Sequence, residues 1–303
     1  MKKKGIALVE RQYLFPFVLI TSLFFLWGFA HAILDVLNKH FQELLTITRT
    51  HSAMIQATMY MGYFIMAIPA GLFINRHGYR RGVVLGLLLY GTGSLLFIPG
   101  QYIASFNMFL FSLFVIGCGL TFLETAANPY VTELGARETA ASRLNFAQSF
   151  NGLGCIFAPI LTGLLLFSDD DKGAGGNVAL PYAVMGVVVL LAALAFVRVP
   201  LPEIPHEEEV DSEGRRVSLW SHKLFVFGLA ALFAYEVAEI SINSFFINYV
   251  TEVGWMNARD ASLVLSFGGL GLFMVGRFVG SWIMRRVRAE KMLFWCACLL
   301  YTS

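Results

Sequence analysis

Long apolar runs separated by short polar stretches make up most of the chain. A bilayer core about 30 Å thick takes about 20 apolar residues per helical span. Runs of about that length recur at residues 14–37, 52–74, 82–99, 106–131, 143–167, 180–198, 223–250 and 261–284, and a ninth opens near 291. The first follows MKKK, but it is too long for a signal-peptide core and no small-residue cleavage pattern comes after it. It is expected to stay in the mature chain. After six runs comes PLPEIPHEEEVDSEGRRVSLW, residues 200–220, the long polar connection of the chain. Its charge run reads as a solvated linker. The organisation expected is a six-helix half over 1–199, a cytoplasmic linker over 200–221 and a second, partial half over 222–297. The last six positions, CLLYTS at 298–303, match what a sequencing adapter would encode and are expected to be a tail of that origin.

Composition agrees with the pattern. The chain is 57% hydrophobic and 14% charged, with a mean hydropathy of +0.67, far more apolar than a soluble domain. It reads as an all-α polytopic membrane protein. The net charge of +2 says little by itself, because in a bilayer the placement of the cations decides orientation. With the N-terminus inside, the cytoplasmic loops hold Lys2, Lys3, Lys4, Arg76, Arg80, Arg81, Arg137, Arg143, Arg215, Arg216, Arg285, Arg286 and Arg288. The opposite side holds only Lys39, Arg49, Lys172 and Arg259. This asymmetry predicts a cytoplasmic N-terminus. Cys118, Cys155, Cys296 and Cys298 have neither metal-ligand nor disulfide spacing and read as small buried hydrophobes.

The chemistry is inside the spans. An acid at the centre of a span costs about 2.5–3.5 kcal/mol on insertion scales, so it usually serves a function and faces the bundle interior. Asp35 in HAILD and Glu124 in FLETAANPY are such acids. Burial disfavours a carboxylate's charged form. A carboxyl in a span can therefore take a proton from one side and lose it when water enters from the other, while accepting hydrogen bonds from a polyol. The bland readings are a helix-to-helix bond for Glu124 and snorkelling for Asp35, which lies near the end of its span. His31 is one turn before Asp35 and could bond it, or could bond a neighbouring helix. Pro129 leaves the Thr125 carbonyl without its helical donor, so a kink is expected there beside Asn128. Asn145, Gln148 and Asn151 recur every three residues on one helical face beside Phe146 and Phe150. Amides and aromatic faces suit a neutral polyol, although amides also knit helices together. Span seven, YEVAEISINSFFINYV at 235–250, adds Glu236, Glu239, Asn243 and Asn248.

GLFINRHGYRRGVVLG at 71–86 resembles the signature loop of the major facilitator superfamily, and GRFVGSWIMRRVRAEK at 276–291 is similar to its second-half counterpart. In that loop Gly71 and Gly78 would allow close packing and a tight turn, and Arg76 would fix the loop to the cytoplasm. Asn75 stands where the pattern often has an acid. FFLWGFAHAILDVLNKHFQ at 24–42, LETAANPY at 123–130 and RLNFAQSFNGLG at 143–154 together resemble the fucose-galactose-glucose/proton symporter family. The resemblance implies the major facilitator fold, with a complete N-terminal half and about eight or nine of its twelve helices present. It implies a bacterial inner membrane and cotransport of a monosaccharide with a proton. Asp35 and Glu124 would couple the proton; Gln148, Asn151, Glu239 and Asn243 would contact sugar; and Asn128, Pro129, Gly71, Arg76 and Gly78 would serve conformational change. L-fucose is the sugar put first. HAILD replaces an asparagine-rich run of the fucose branch, and AEISINSF looks more like the glucose/galactose branch, which usually has Gln at the place of Glu124. A glucose/galactose symporter and a non-transporting sugar sensor stay open. A monomer in the lipid bilayer is expected, with no nucleic acid partner, cofactor or metal.

A membrane enzyme acting on a lipid-linked sugar would need acids or histidines in surface loops together with metal- or phosphate-binding groups; the loops are mostly short and show no such combination, and the acids of interest are inside the spans. There is no phosphate-binding Gly loop after a strand, no Cys/His metal set and no nucleophile motif. The expectation is that the protein is not an enzyme.

Overall fold

A computed structural model describes residues 8–44, 49–103, 105–166, 179–198, 218–257, 260–261 and 264–302. The elements are α1 (Leu14–Leu44), α2 (Arg49–His77), α3 (Tyr79–Leu95), α4 (Phe97–Ile103), α5 (Phe106–Glu133), α6 (Ala140–Leu166), α7 (Ala179–Arg198), α8 (Lys223–Glu252), α9 (Gly271–Met284) and α10 (Ala289–Thr302). A π-helical turn, Val264–Leu270, leads into α9. Among the described residues there is no strand, and six helical stretches are long and apolar enough to cross a membrane. This is a multi-pass membrane protein.

The helix ends follow from local chemistry. Gly78 sits at φ +85°, in the left-handed region, and turns the chain from α2 directly into α3. The Ser105 hydroxyl accepts from the Met108 amide and caps α5. Hydroxyls inside the spans bond back to their own helix: Ser94 to the Tyr90 carbonyl, Ser112 to Met108, Thr121 to Gly117 and Thr125 to Thr121. In lipid such internal satisfaction is the cheap solution.

The chain divides into two compact units, Met1–Ile204 with Met274–Ser303, and Pro205–Phe273. In the first, α1 packs on α6, α2 and α3 pack on α5, and α3 also packs on α7. Small residues let the backbones approach. A Cβ on Gly28 would run into the Asn151 carbonyl, and one on Gly154 into the Phe25 carbonyl. Its core is apolar, built on Ile20, Leu23, Phe24, Ile33, Leu87, Tyr90, Leu120 and Tyr130. The second unit is largely α8, whose Leu224, Phe227 and Phe233 are exposed, as suits a helix solvated by acyl chains or by neighbouring helices.

Three sequence expectations change. The close packing expected at Gly71 is absent: a Cβ there would meet nothing within 4 Å, whereas one on Gly62 of the same helix would sit 2.7 Å from the Phe114 carbonyl. Gly71 lies off the face that α5 covers. Arg143, assigned to a cytoplasmic loop, is fully buried. Of the cysteines only Cys118 is buried and Cys296 is exposed, and none is in a disulfide. Residues 200–217 of the expected linker lie outside the described residues, and α10 runs across the expected boundary at 297/298.

Candidate functional site

Glu124 lies in the middle of α5, half-buried, at the floor of an open recess of about 630 Å3. Tyr60, Tyr63, Phe64 and Ala67 of α2 form one wall, and Thr121, Thr125, Asn128 and Pro129 of α5 the other. On its far side Glu124 borders a small gap under Leu23, Phe24 and Trp27 of α1. The acid is thus held where three helices meet. Trp27 Nε1 donates to the Tyr63 hydroxyl at 3.0 Å, and His31 Nε2 lies 3.1 Å from the same hydroxyl. The rings form a continuous group: Trp27 to His31 at 6.0 Å, His31 to Tyr63 at 5.9 Å, His31 to Tyr60 at 6.3 Å and Tyr60 to Tyr63 at 6.2 Å. His31 therefore takes the interhelical role, with α2 as its partner.

Asn128, one turn after Glu124, accepts from Gln148 Nε2 at 3.3 Å, so the amide face of α6 is joined to the recess wall. Asn151 is half-buried one turn further along α6, where its backbone touches α1 at Gly28. α5 continues through Pro129 to Glu133, and Pro129 lines the recess. Asp35 falls within α1, one turn after His31, but its side chain lies outside the described residues, as does that of Asn243 in α8. Glu239 of α8 is half-buried in the second unit. Arg76 is exposed at the end of α2. Among the described residues no cluster of His, Cys, Asp and Glu could hold a metal ion. The recess thus combines an acid, an amide and phenol hydroxyls on an aromatic wall, a set that exchanges hydrogen bonds with a neutral polyol and carries one exchangeable proton.

The site rests on braced helix ends. Arg143 donates to the carbonyls of Val131 at 3.0 Å, Ala136 at 3.0 Å, Leu8 at 3.4 Å and Thr132, and to the Thr139 hydroxyl at 2.6 Å. It caps the C-terminus of α5 and ties the connection to α6, where a cation also complements the helix dipole. Arg80 of the loop after α2 does the same for α7, donating to the carbonyls of Phe196 at 3.2 Å and Val197. α6 also meets α9: Ser142 donates to the Ser281 carbonyl at 2.5 Å and Ser281 to that of Ser142 at 2.8 Å. Beside this pair Phe278 stands edge-on to Phe146, with centroids 5.6 Å apart.

Residues 17–302 match the Major Facilitator Superfamily. The chain belongs to the major facilitator superfamily. Within that superfamily, a glucose/galactose transporter of Brucella abortus is 36% identical over 290 residues, covering 94% of this chain and 70% of its own length. The L-fucose-proton symporter of Escherichia coli K12 is 35% identical over 309 residues, with the same shares. A crystal structure of a variant of the E. coli fucose:proton symporter matches with a TM-score of 0.77 at 33% identity, over 93% of this chain and 74% of that one. A second, of a superfamily transporter in the outward conformation, matches with a TM-score of 0.73 at 33% identity and the same coverage. The fold is that of the superfamily, with part of its second half present in this chain.

Proposed function

We propose that the protein is a proton-coupled monosaccharide symporter of the bacterial inner membrane, with its N-terminus in the cytoplasm, working by alternating access. The observation that carries this reading is Glu124 at the floor of a recess walled by Tyr60, Tyr63 and Asn128, because an intramembrane acid beside polyol-binding groups couples a proton to a neutral solute. Sugar and proton load from the periplasmic side, with Asp35 and Glu124 taking up protons. The halves then rock, and both solutes leave inward. Gln148, Asn151, Glu239 and Asn243 are the proposed sugar contacts. Asn128, Pro129 and the loop of Arg76 and Gly78 belong to the moving parts.

L-fucose is the first substrate to test, supported by the acid at position 124 and by the fucose relative. Glucose or galactose is the second reading, supported by the AEISINSF stretch and by the glucose/galactose relative. Counterflow of labelled sugar in vesicles loaded with L-fucose, D-galactose or D-glucose tests the proposal. Exchange with one sugar supports transport and names the substrate. Sugar binding without counterflow identifies a sensor, and neither activity rejects the reading.

A further inference from the structure

The Trp27–Tyr63–His31 group carries more than packing, because its hydrogen bonds can be counted. A phenol has one hydrogen and two lone pairs. The indole N–H of Trp27 is a donor only, so it occupies one lone pair of Tyr63. The bond to His31 Nε2 can run either way. With the proton of neutral His31 on Nδ1, Tyr63 must donate to Nε2, and the phenol turns only a lone pair to the recess. With Nε2 protonated, His31 donates, both lone pairs of Tyr63 are filled, and the phenol hydrogen is released. Tyr63 of α2 and Glu124 of α5 line the same recess. The freed hydrogen therefore favours an ionised Glu124, whereas the lone pair favours a protonated one. Among the described residues, Tyr60 of α2 and Tyr90 of α3 are further ionisable groups near Tyr63; Asp35 follows His31 by one turn of α1.

Resting on the symport reading above, we propose that His31 is a positioning residue for proton coupling: it sets whether Tyr63 donates or accepts in the recess, and through Tyr63 it sets the pH at which Glu124 exchanges its proton. His31 need not touch the sugar. Its ring acts through one hydroxyl that joins α1 to α2.

The test is sugar-dependent proton uptake from about pH 5 to 8 for the parent protein, Tyr63→Phe, His31→Phe, the double variant and His31→Gln. Tyr63→Phe removes the phenol hydrogen bond available to ionised Glu124, so its half-maximal pH should rise by about one unit, whereas His31→Phe leaves the phenol hydrogen without an imidazole acceptor and free for Glu124, so its half-maximal pH should fall. The double variant should match Tyr63→Phe alone, because His31 acts only through the phenol. His31→Gln keeps a group that can hydrogen-bond the phenol, and should bring the half-maximal pH back toward that of the parent. An unchanged half-maximal pH with only a lower maximal rate would overturn the proposal, as would additive shifts. A second readout needs no transport: ring 15N resonances of His31 in purified protein, identified by their loss in His31→Phe, should change their protonation pattern in Tyr63→Phe. No change there also overturns it. Failure of the symport reading looks different, since the parent would take up no protons with any sugar while the 15N spectra still report the bond.

Discussion

Two glycine substitutions separate backbone approach from sequence pattern. Gly119 of α5 faces α3: a Cβ built on it would lie 2.5 Å from the Tyr90 amide nitrogen and 2.6 Å from the Gly86 carbonyl. Both are main-chain atoms, so Gly119→Ala requires the two helices to part by nearly an ångström. Overpacking of this kind costs about 1–3 kcal/mol, offset by about 0.5–1 kcal/mol from replacing a helical glycine with alanine. The net loss of about 1–2 kcal/mol corresponds to a fall in Tm of about 2–8 °C at about 2–4 °C per kcal/mol. Gly71→Ala is the control, since a Cβ there meets nothing within 4 Å. Only the helix gain remains, and Tm should hold or rise by about 1–4 °C. Thermal unfolding of the purified protein, followed by size exclusion after heating, reads both. Equal shifts for the two variants, or a stabilised Gly119→Ala, would refute the packing described for α3 and α5. Parting these helices also moves Tyr90, whose hydroxyl donates to the Leu26 carbonyl at 3.1 Å one residue before Trp27. Gly119→Ala should therefore lower transport as well as stability.

Arg143→Met leaves several buried carbonyls without a donor and should cost at least about 3 kcal/mol of stability, read as Tm and yield of folded protein. Arg143→Lys should recover only part of this, because an ammonium cannot reach carbonyls spread from Leu8 to Ala136 as a guanidinium does; full recovery by lysine would contradict the capping role. The Ser142 and Ser281 hydroxyl oxygens are 3.1 Å apart. Cysteines at both positions, in a background without the four native ones, should form a disulfide on oxidation that stops transport until reduced. Full transport by the cross-linked protein would show that α6 and α9 need not separate. Gln148→Ala removes the bond to Asn128 and a proposed sugar contact, and should raise the KM for sugar by about tenfold, the equivalent of about 1.4 kcal/mol. An unchanged KM would take Gln148 out of the site.

Much of the fold was legible because lipid leaves a chain few choices. Each apolar run had to be a helix, so the runs at 52–74, 106–131 and 180–198 anticipate α2, α5 and α7 closely. Glu124 was legible for the same reason, an acid being too costly in a span to be there by default. Its surroundings were not. Trp27, Tyr60 and Tyr63 carry no signal in a chain that is 15% aromatic, and only the meeting of α1 with α2 shows that Trp27 hydrogen-bonds Tyr63 and that Tyr60 packs beside it. The three-residue spacing of Tyr60 and Tyr63 was the one hint, since it puts both on one helical face. Arg143 was assigned to a loop because charge placement distinguishes the two sides of a membrane, not a solvated guanidinium from one folded under a helix end. Gly71 and Gly62 look alike in the sequence, and only the position of α5 shows which one lets a backbone approach. Gly78 was readable as a turn because its positive φ needs glycine whatever surrounds it.

The central claim is that Glu124 couples a proton to a sugar. The most direct measurement is the external pH on adding L-fucose, D-galactose or D-glucose to de-energised cells producing the protein, with Glu124→Gln in parallel. The account predicts alkalinisation with one of these sugars, L-fucose first, and none in the variant although it still folds and reaches the membrane. Alkalinisation that persists in Glu124→Gln, or none with any sugar in the parent, would contradict it.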